Sequence, residues 1–149
     1  MFTKLIDFFD KYSSVKWKGK GELWLDLGGN SVTHYECDLI VQNNALAYSW
    51  LYKNDIKHGR FTLNDGQCLW MDEWHQVNTV HCYPILDSWG VLAVRHEYEV
   101  DDAPNWAWRT ILSVRPDGAL VLQMTNIAPW GEEGRAVRMV FYRENSSPA

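Results

Sequence analysis

Residues 91–115 read VLAVRHEYEVDDAPNWAWRTILSVR, and this stretch decides the fold. Leu92, Val94, His96, Tyr98 and Val100 fall on one face of an extended chain, and Arg95, Glu97 and Glu99 on the other. Successive side chains of a strand point to opposite faces, so the run predicts a half-buried strand. After Asp101 to Pro104 the alternation resumes. Trp106, Trp108, Thr110, Leu112 and Val114 share one face, opposite Asn105, Ala107, Arg109, Ile111, Ser113 and Arg115. Two such runs joined by a short polar link predict antiparallel neighbours.

Working outward, period-2 runs recur at 15–27, 31–42, 45–53, 59–64, 67–75, 77–83, 119–127 and 135–143. Gly28-Gly29-Asn30, Asn43-Asn44, Asp65-Gly66 and Pro116-Asp117-Gly118 separate them with residues that tolerate positive φ or preset a turn. Pro129 to Gly134 make a longer connection. No helix lies between strands, so a parallel crossover has no means to form. A meander this long has two free edges, and closing the sheet removes both. The expected fold is all-β: one antiparallel up-and-down β-barrel of about 8–10 strands with a short N-terminal helix. That helix is expected within 1–14, where Phe2, Leu5, Ile6, Phe9 and Tyr12 recur at helical spacing, and Ser13 and Ser14 end it. Phe2, Leu5 and Phe9 would plug one barrel end. The expected organisation is a single domain, with the barrel over 15–143 and a disordered tail over 144–149.

The 149 residues suit one domain, and a chain of this length buries a core large enough to need no disulfide or metal. The net charge of −5 argues against a nucleic-acid partner. Lys16, Lys18 and Lys20 recur at a spacing of two, which is the solvent face of a strand. Cys37, Cys68 and Cys82 are odd in number and lack a C-x-x-C pair, so buried free thiols in a reducing compartment are expected. Asp7 and Asp10 interrupt the first apolar run, no small-residue cleavage site follows, and no stretch is long enough to span a membrane. The expected location is cytoplasmic, with no membrane partner.

Three stretches carry a resemblance. Trp17-Lys18-Gly19-Lys20-Gly21-Glu22 has the form W-x-G-x-G-E; Trp70-Met71-Asp72-Glu73-Trp74-His75 lies mid-chain; Met124 to Glu133 precedes a closing Phe141-Tyr142-Arg143. From Val15 to Arg143 the chain resembles bacterial domain-of-unknown-function families built on the lipocalin and fatty-acid-binding-protein (calycin) barrel. The resemblance implies that Trp17 stacks on Arg143 where the barrel closes, a cation–π contact worth roughly 0.5–2 kcal/mol. It also implies a carboxylate anchor from the last strand. Arg138 and Tyr142 share a face there, although at a spacing of four rather than that family's two. The W-x-G-x-G opening is similar to the nitrobindin family of haem-binding barrels. Its proximal histidine lies in the C-terminal part, and this chain has none after His96. No cofactor is therefore expected.

Nothing in the chain selects a catalytic mechanism: no G-x-S-x-G, phosphate loop or dinucleotide fingerprint is present. His34, Glu36 and Asp38 share a strand face, as metal ligands or as a solvent face. His75 and His81 flank a predicted hairpin without a third ligand. His58 is expected exposed in a turn. His96, between Val94 and Tyr98, reads either as a hydrogen-bonded core histidine or as a group facing a ligand. The strand faces bring Tyr48, Trp50, Trp70, Trp74, His96, Tyr98, Trp106 and Trp108 toward one interior, with Arg138 and Tyr142 from the last strand. An apolar wall with a few polar groups is how small-molecule pockets are built; the same rings could simply fill the barrel. The expected function is binding of a small apolar or amphipathic molecule. The alternatives are a small barrel enzyme or haem protein using His96 or His75, and a structural or homodimeric module with a filled core.

Overall fold

The computed structural model describes residues 2–26, 28–86 and 88–144. One helix, α1 (Thr3–Lys11), precedes ten strands. They are β1 (Lys16–Trp24), β2 (Val32–Gln42), β3 (Ala45–Tyr52), β4 (Asp55–Asn64) and β5 (Gln67–Asp72), then β6 (Gln76–Pro84), β7 (Leu92–Val100), β8 (Ala103–Val114), β9 (Leu120–Ile127) and β10 (Glu133–Arg143). Each pairs antiparallel with its chain neighbours, and β1 returns to β10 from Trp17–Arg143 to Leu23–Val137, closing the barrel. The fold class and closure expected from the alternation, and the helix expected from the helical spacing of 2–12, are therefore present.

Turn chemistry explains the tight connections. Asn43, Asp65, Gly66 and Gly118 take positive φ where turns were expected. Lys53 and Asn54 make a further tight turn, with φ of 49° and 66°, so β4 begins at Asp55 instead of 59. His58 is exposed, but on a strand.

Helix α1 covers the barrel end where odd strands begin and even strands finish. Leu5, Phe8 and Phe9 are buried, with Phe2 beside them, while Ile6 is left exposed. Phe8 replaces Ile6 because Leu5, Phe8, Phe9 and Tyr12 form one i, i+3, i+4, i+7 stripe. Beneath them Val41, Leu46, Leu92, Leu112, Leu120 and Phe141 complete an apolar closed end.

Two expectations about β10 are corrected. The pairing with β9 shifts register between Arg135 and Val137. Ala136 and Val137 are both buried at this bulge, and Met139 and Phe141 then take the inner face. Arg138 and Tyr142 thus lie outside: Arg138 reaches Glu22 at 3.4 Å, and Tyr142 is 56% exposed. The second correction concerns Trp17. It is the register partner of Arg143, yet its ring meets Tyr12 edge-on at 5.5 Å. Among the described residues the first-strand Trp under a last-strand Arg is Trp24, with the Arg135 guanidinium 4.4 Å above it at the opposite end.

The seam between β6 and β7 is thin. Its register consists of Tyr83–Arg95 and Pro84–Val94, close to the helix end. Further along, the His96 ring Nδ1 donates to the His81 carbonyl at 3.3 Å. His96 is thus a hydrogen-bonded, half-buried residue that helps close this seam.

Gly59 permits one long-range contact. It lies opposite Tyr48 on β3 and Asp72 on β5, and the Tyr48 ring crosses it. A Cβ on Gly59 would sit 2.3 Å from the Tyr48 Cζ. Gly59→Ala should therefore destabilise the protein by about 1–3 kcal/mol, the usual cost of overpacking. Urea unfolding checks this, and an unchanged midpoint would show that Tyr48 has room to move.

Candidate functional site

The barrel end opposite α1 is built around a buried carboxylate. Asp72, at the end of β5, is 1% exposed. One oxygen accepts the Tyr48 hydroxyl at 2.6 Å. The other accepts the backbone N–H groups of Trp74 at 2.8 Å and His75 at 3.1 Å. An Asp that binds the backbone two and three residues on folds its own turn. Trp70 Nε1 donates to the Tyr48 oxygen at 3.1 Å, completing the network. Burial and the Asp72 charge push the Tyr48 phenol well above its usual pKa, which keeps its proton available to donate.

The turn delivers Trp74 and His75 into a set of rings. The His75 imidazole lies 4.5 Å from Trp74, 4.8 Å from Trp108, 6.1 Å from Trp70 and 6.2 Å from Trp50, the last nearly parallel to it at 28°. Tyr98 stacks on Trp108 at 6.1 Å and donates to Asn126 at 3.0 Å. Trp50 also touches Tyr35, Tyr52 and Trp74. Two polar atoms inside this set are buried without a protein partner: Trp50 Nε1 and His75 Nδ1. Burial pushes the His75 imidazole down to about 4, against the opposing pull of Asp72, so the ring is neutral at pH 7.

A cleft of about 280 Å3 reaches these rings from outside, lined by Trp24, Trp74, Trp108, Asn126, Arg135 and Ala136 among others. Arg135 donates to the Gly29 carbonyl at 2.7 Å and 3.2 Å, tying Gly29 to the cleft wall. Grooves of about 510 and 570 Å3 also cross the outer wall. Charged outward side chains such as Lys18, Lys20, Asp38, Arg60 and Glu36 line them. On that wall Lys18 lies opposite Asp38 and Lys20 opposite Glu36, as on a solvated strand face.

The structure brings together Trp50, Trp70, Trp74 and Trp108 of the sequence-predicted set around His75, with Tyr98 joined to them through Trp108. His96 contacts this group through Trp70 at 6.2 Å. Tyr48 is near but committed to Asp72. Trp106 turns away to Trp130 at the rim, 5.5 Å distant. Arg138 and Tyr142 lie outside. Sequence reasoning missed Trp24, Asn126 and Arg135, and gave His75 only a hairpin flank and an alternative role in a barrel enzyme or haem protein. The signal for His75 was present in Asp72, two residues before Trp74: a strand-ending Asp is a turn former whose backbone bonds aim the next side chains.

His34, Glu36 and Asp38 are all exposed, and among the described residues no three His, Cys, Asp or Glu side chains gather as metal ligands would. Cys37, Cys68 and Cys82 are buried and free, with Cys68 opposite Cys82 across β5 and β6. No described helix is long and apolar enough to cross a membrane. Compared with known protein families and with curated proteins, the sequence gives no match.

The neutral His75 makes stability depend on pH. Its pKa falls from 6.5 in the unfolded chain to about 4 in the folded one. Below pH 6.5 the unfolded state takes up a proton first, so stability drops as pH falls. Wild-type protein should lose about 2 kcal/mol of this contribution between pH 7 and pH 5. His75→Phe should flatten most of that slope in urea unfolding at the two pH values. The remainder belongs to His96, whose pKa burial also lowers. An equal slope in both proteins would place the His75 ring in water.

Proposed function

We propose that this protein is a calycin-like binding barrel that takes a small apolar or amphipathic molecule at its open end. The observation that carries the proposal is the ring cluster around His75, whose Trp74 and Trp108 line the 280 Å3 cleft and whose Trp50 and His75 each hold a buried, unpartnered ring nitrogen. Buried polar groups nearly always have partners, so two unpartnered ring nitrogens in one ring cluster favour a place where another molecule binds. At the closed end helix α1 packs aliphatic and phenyl side chains over the core, and one ring nitrogen, Trp17 Nε1, is buried there without a partner. The volume lies just under the roughly 300–1,000 Å3 of drug-sized ligand sites, which favours a compact ligand and disfavours a porphyrin. The lipocalin-like family resemblance, a bacterial source and a cytoplasmic setting belong to the same proposal.

The neutral imidazole of His75 favours catalysis as a second reading, because a histidine unprotonated at pH 7 can act as a general base. Among the described residues its Nδ1 has no hydrogen-bond partner that would act with it, and binding remains the stronger reading.

Native mass spectrometry of freshly purified protein should reveal a co-purified small molecule. A compact aromatic ligand at about 100 times its Kd should stabilise the protein by roughly 2.7 kcal/mol and raise its Tm accordingly. Trp108→Leu should weaken that binding at least tenfold. No Tm shift with any compact aromatic or alkyl ligand would refute binding at this end.

A further inference from the structure

We propose that Cys68 and Cys82 are a redox-responsive pair: a peroxide oxidises them to a disulfide that locks the β5–β6 hairpin, and a thiol reductant reopens it. The two are register partners on adjoining antiparallel strands. Side chains of such partners leave the sheet on the same face, with Cα atoms about 4.5–5.5 Å apart. A disulfide needs a Cα separation of roughly 4.4–6.8 Å, so the two backbones already stand where the bond requires them. Both residues are free thiols on the buried face, 0% and 2% exposed. Burial pushes the Cys68 thiol up to about 12 and raises Cys82 as well, with the neighbouring Cys68 adding to that rise. Cys37 differs: its ladder partners are Gly19 and Trp50, so no cysteine faces it.

The fold supplies a route to thiols this deeply buried. Cys82 adjoins Tyr83, where β6 meets β7 through the register pairs Tyr83–Arg95 and Pro84–Val94. On its other side β6 shifts register against β5 between Trp70 and Asp72. Parting β6 from β7 thus breaks few ladder bonds, and such local opening costs less than global unfolding. Opening lets the Cys82 thiol ionise and meet the peroxide. Its sulfur attacks one peroxide oxygen, the O–O bond breaks, and a sulfenic acid and one water form. The Cys68 sulfur then attacks the Cys82 sulfur, the S–O bond breaks, and the hydroxyl leaves as water with the Cys68 proton. Two thiols have lost two electrons to one hydrogen peroxide, and two waters have formed. The new bond closes the hairpin whose turn holds Asp72, Trp74 and His75. In the cytoplasmic setting proposed above, such a bond is transient and redox-sensing, not structural.

Reduced full-length protein, exposed to hydrogen peroxide at neutral pH and then alkylated in denaturant, tests this. Untreated protein should take up three alkyl groups, one for each cysteine, and oxidised protein one, at Cys37. Peptide mapping should find the Cys68–Cys82 link within single chains, and dithiothreitol should restore every thiol. The oxidised protein should melt about 5 °C or more above the reduced one. Urea below the unfolding transition should speed the link by favouring opening. Cys68→Ala should abolish both the link and the Tm rise, and Cys82→Ala should do the same if the first variant does not fold. Oxidation of Cys37 as fast as of the pair, links between chains, or a link that lowers Tm would overturn the proposal. Three free thiols after peroxide in sub-denaturing urea would show that Cys68 and Cys82 serve packing alone, and would overturn it too.

Discussion

The hydrogen bond from Tyr48 to Asp72 organises the open end of this barrel. It spans three strands, and Gly59 on the middle one leaves the space that the Tyr48 ring crosses. A carboxylate this deeply buried is costly unless its lone pairs are filled. Tyr48 fills one side, and the backbone of Trp74 and His75 fills the other. The requirement to satisfy Asp72 is therefore what fixes the turn after β5. That turn places His75 among the tryptophans. One electrostatic demand thus links a strand glycine, a tyrosine and the candidate site.

The two barrel ends solve different problems. At the helix end the chain must seal a hydrophobic core, and Leu5, Phe8 and Phe9 do so without a polar atom on any side chain. At the other end the rings are mostly Trp, Tyr and His, each with a polar edge on an apolar body. Some of those edges are satisfied internally, as in Trp70 to Tyr48 and Tyr98 to Asn126. Trp50 and His75 are not. The thin seam of β6 and β7 runs from the sealed end toward this less settled one, with the His96 to His81 bond along it. Few ladder bonds there mean a lower cost of local opening, which suits the ligand exchange proposed for this end.

The fold was legible in the sequence because alternation is a backbone-period signal that survives without tertiary knowledge. Every expected run became a strand, and the polar turn residues fell between them. What failed was local. Nothing in the letters around Arg135 announces a bulge, and once one residue is inserted the faces downstream no longer follow from those upstream. Arg138 and Tyr142 were misplaced for that reason. Lys53-Asn54 was missed because lysine is an unusual occupant of positive φ. The site was half legible: alternation found Trp50, Trp70, Tyr98 and Trp108, which point inward from strands. It had no purchase on His75, whose position follows from the hydrogen bonds of Asp72 instead of from a period.

The contrast between Asp72 and His75 also bears on why this end reads as a site and not as a flaw in packing. Asp72 shows that the fold can satisfy a buried charge completely, with three donors in place around it. The unpaired Trp50 and His75 lie within the same ring cluster that this network positions, one on the adjoining β3 and the other held by the Asp72 turn. A chain able to supply three partners to one buried group could have replaced Trp50 by Phe, or His75 by Leu, without an orphaned donor or acceptor. Sequences are locally consistent except where function demands otherwise. Here the inconsistency consists of two neutral, unpartnered ring nitrogens within one aromatic cluster, and it is this that favours the proposed binding role for the open end.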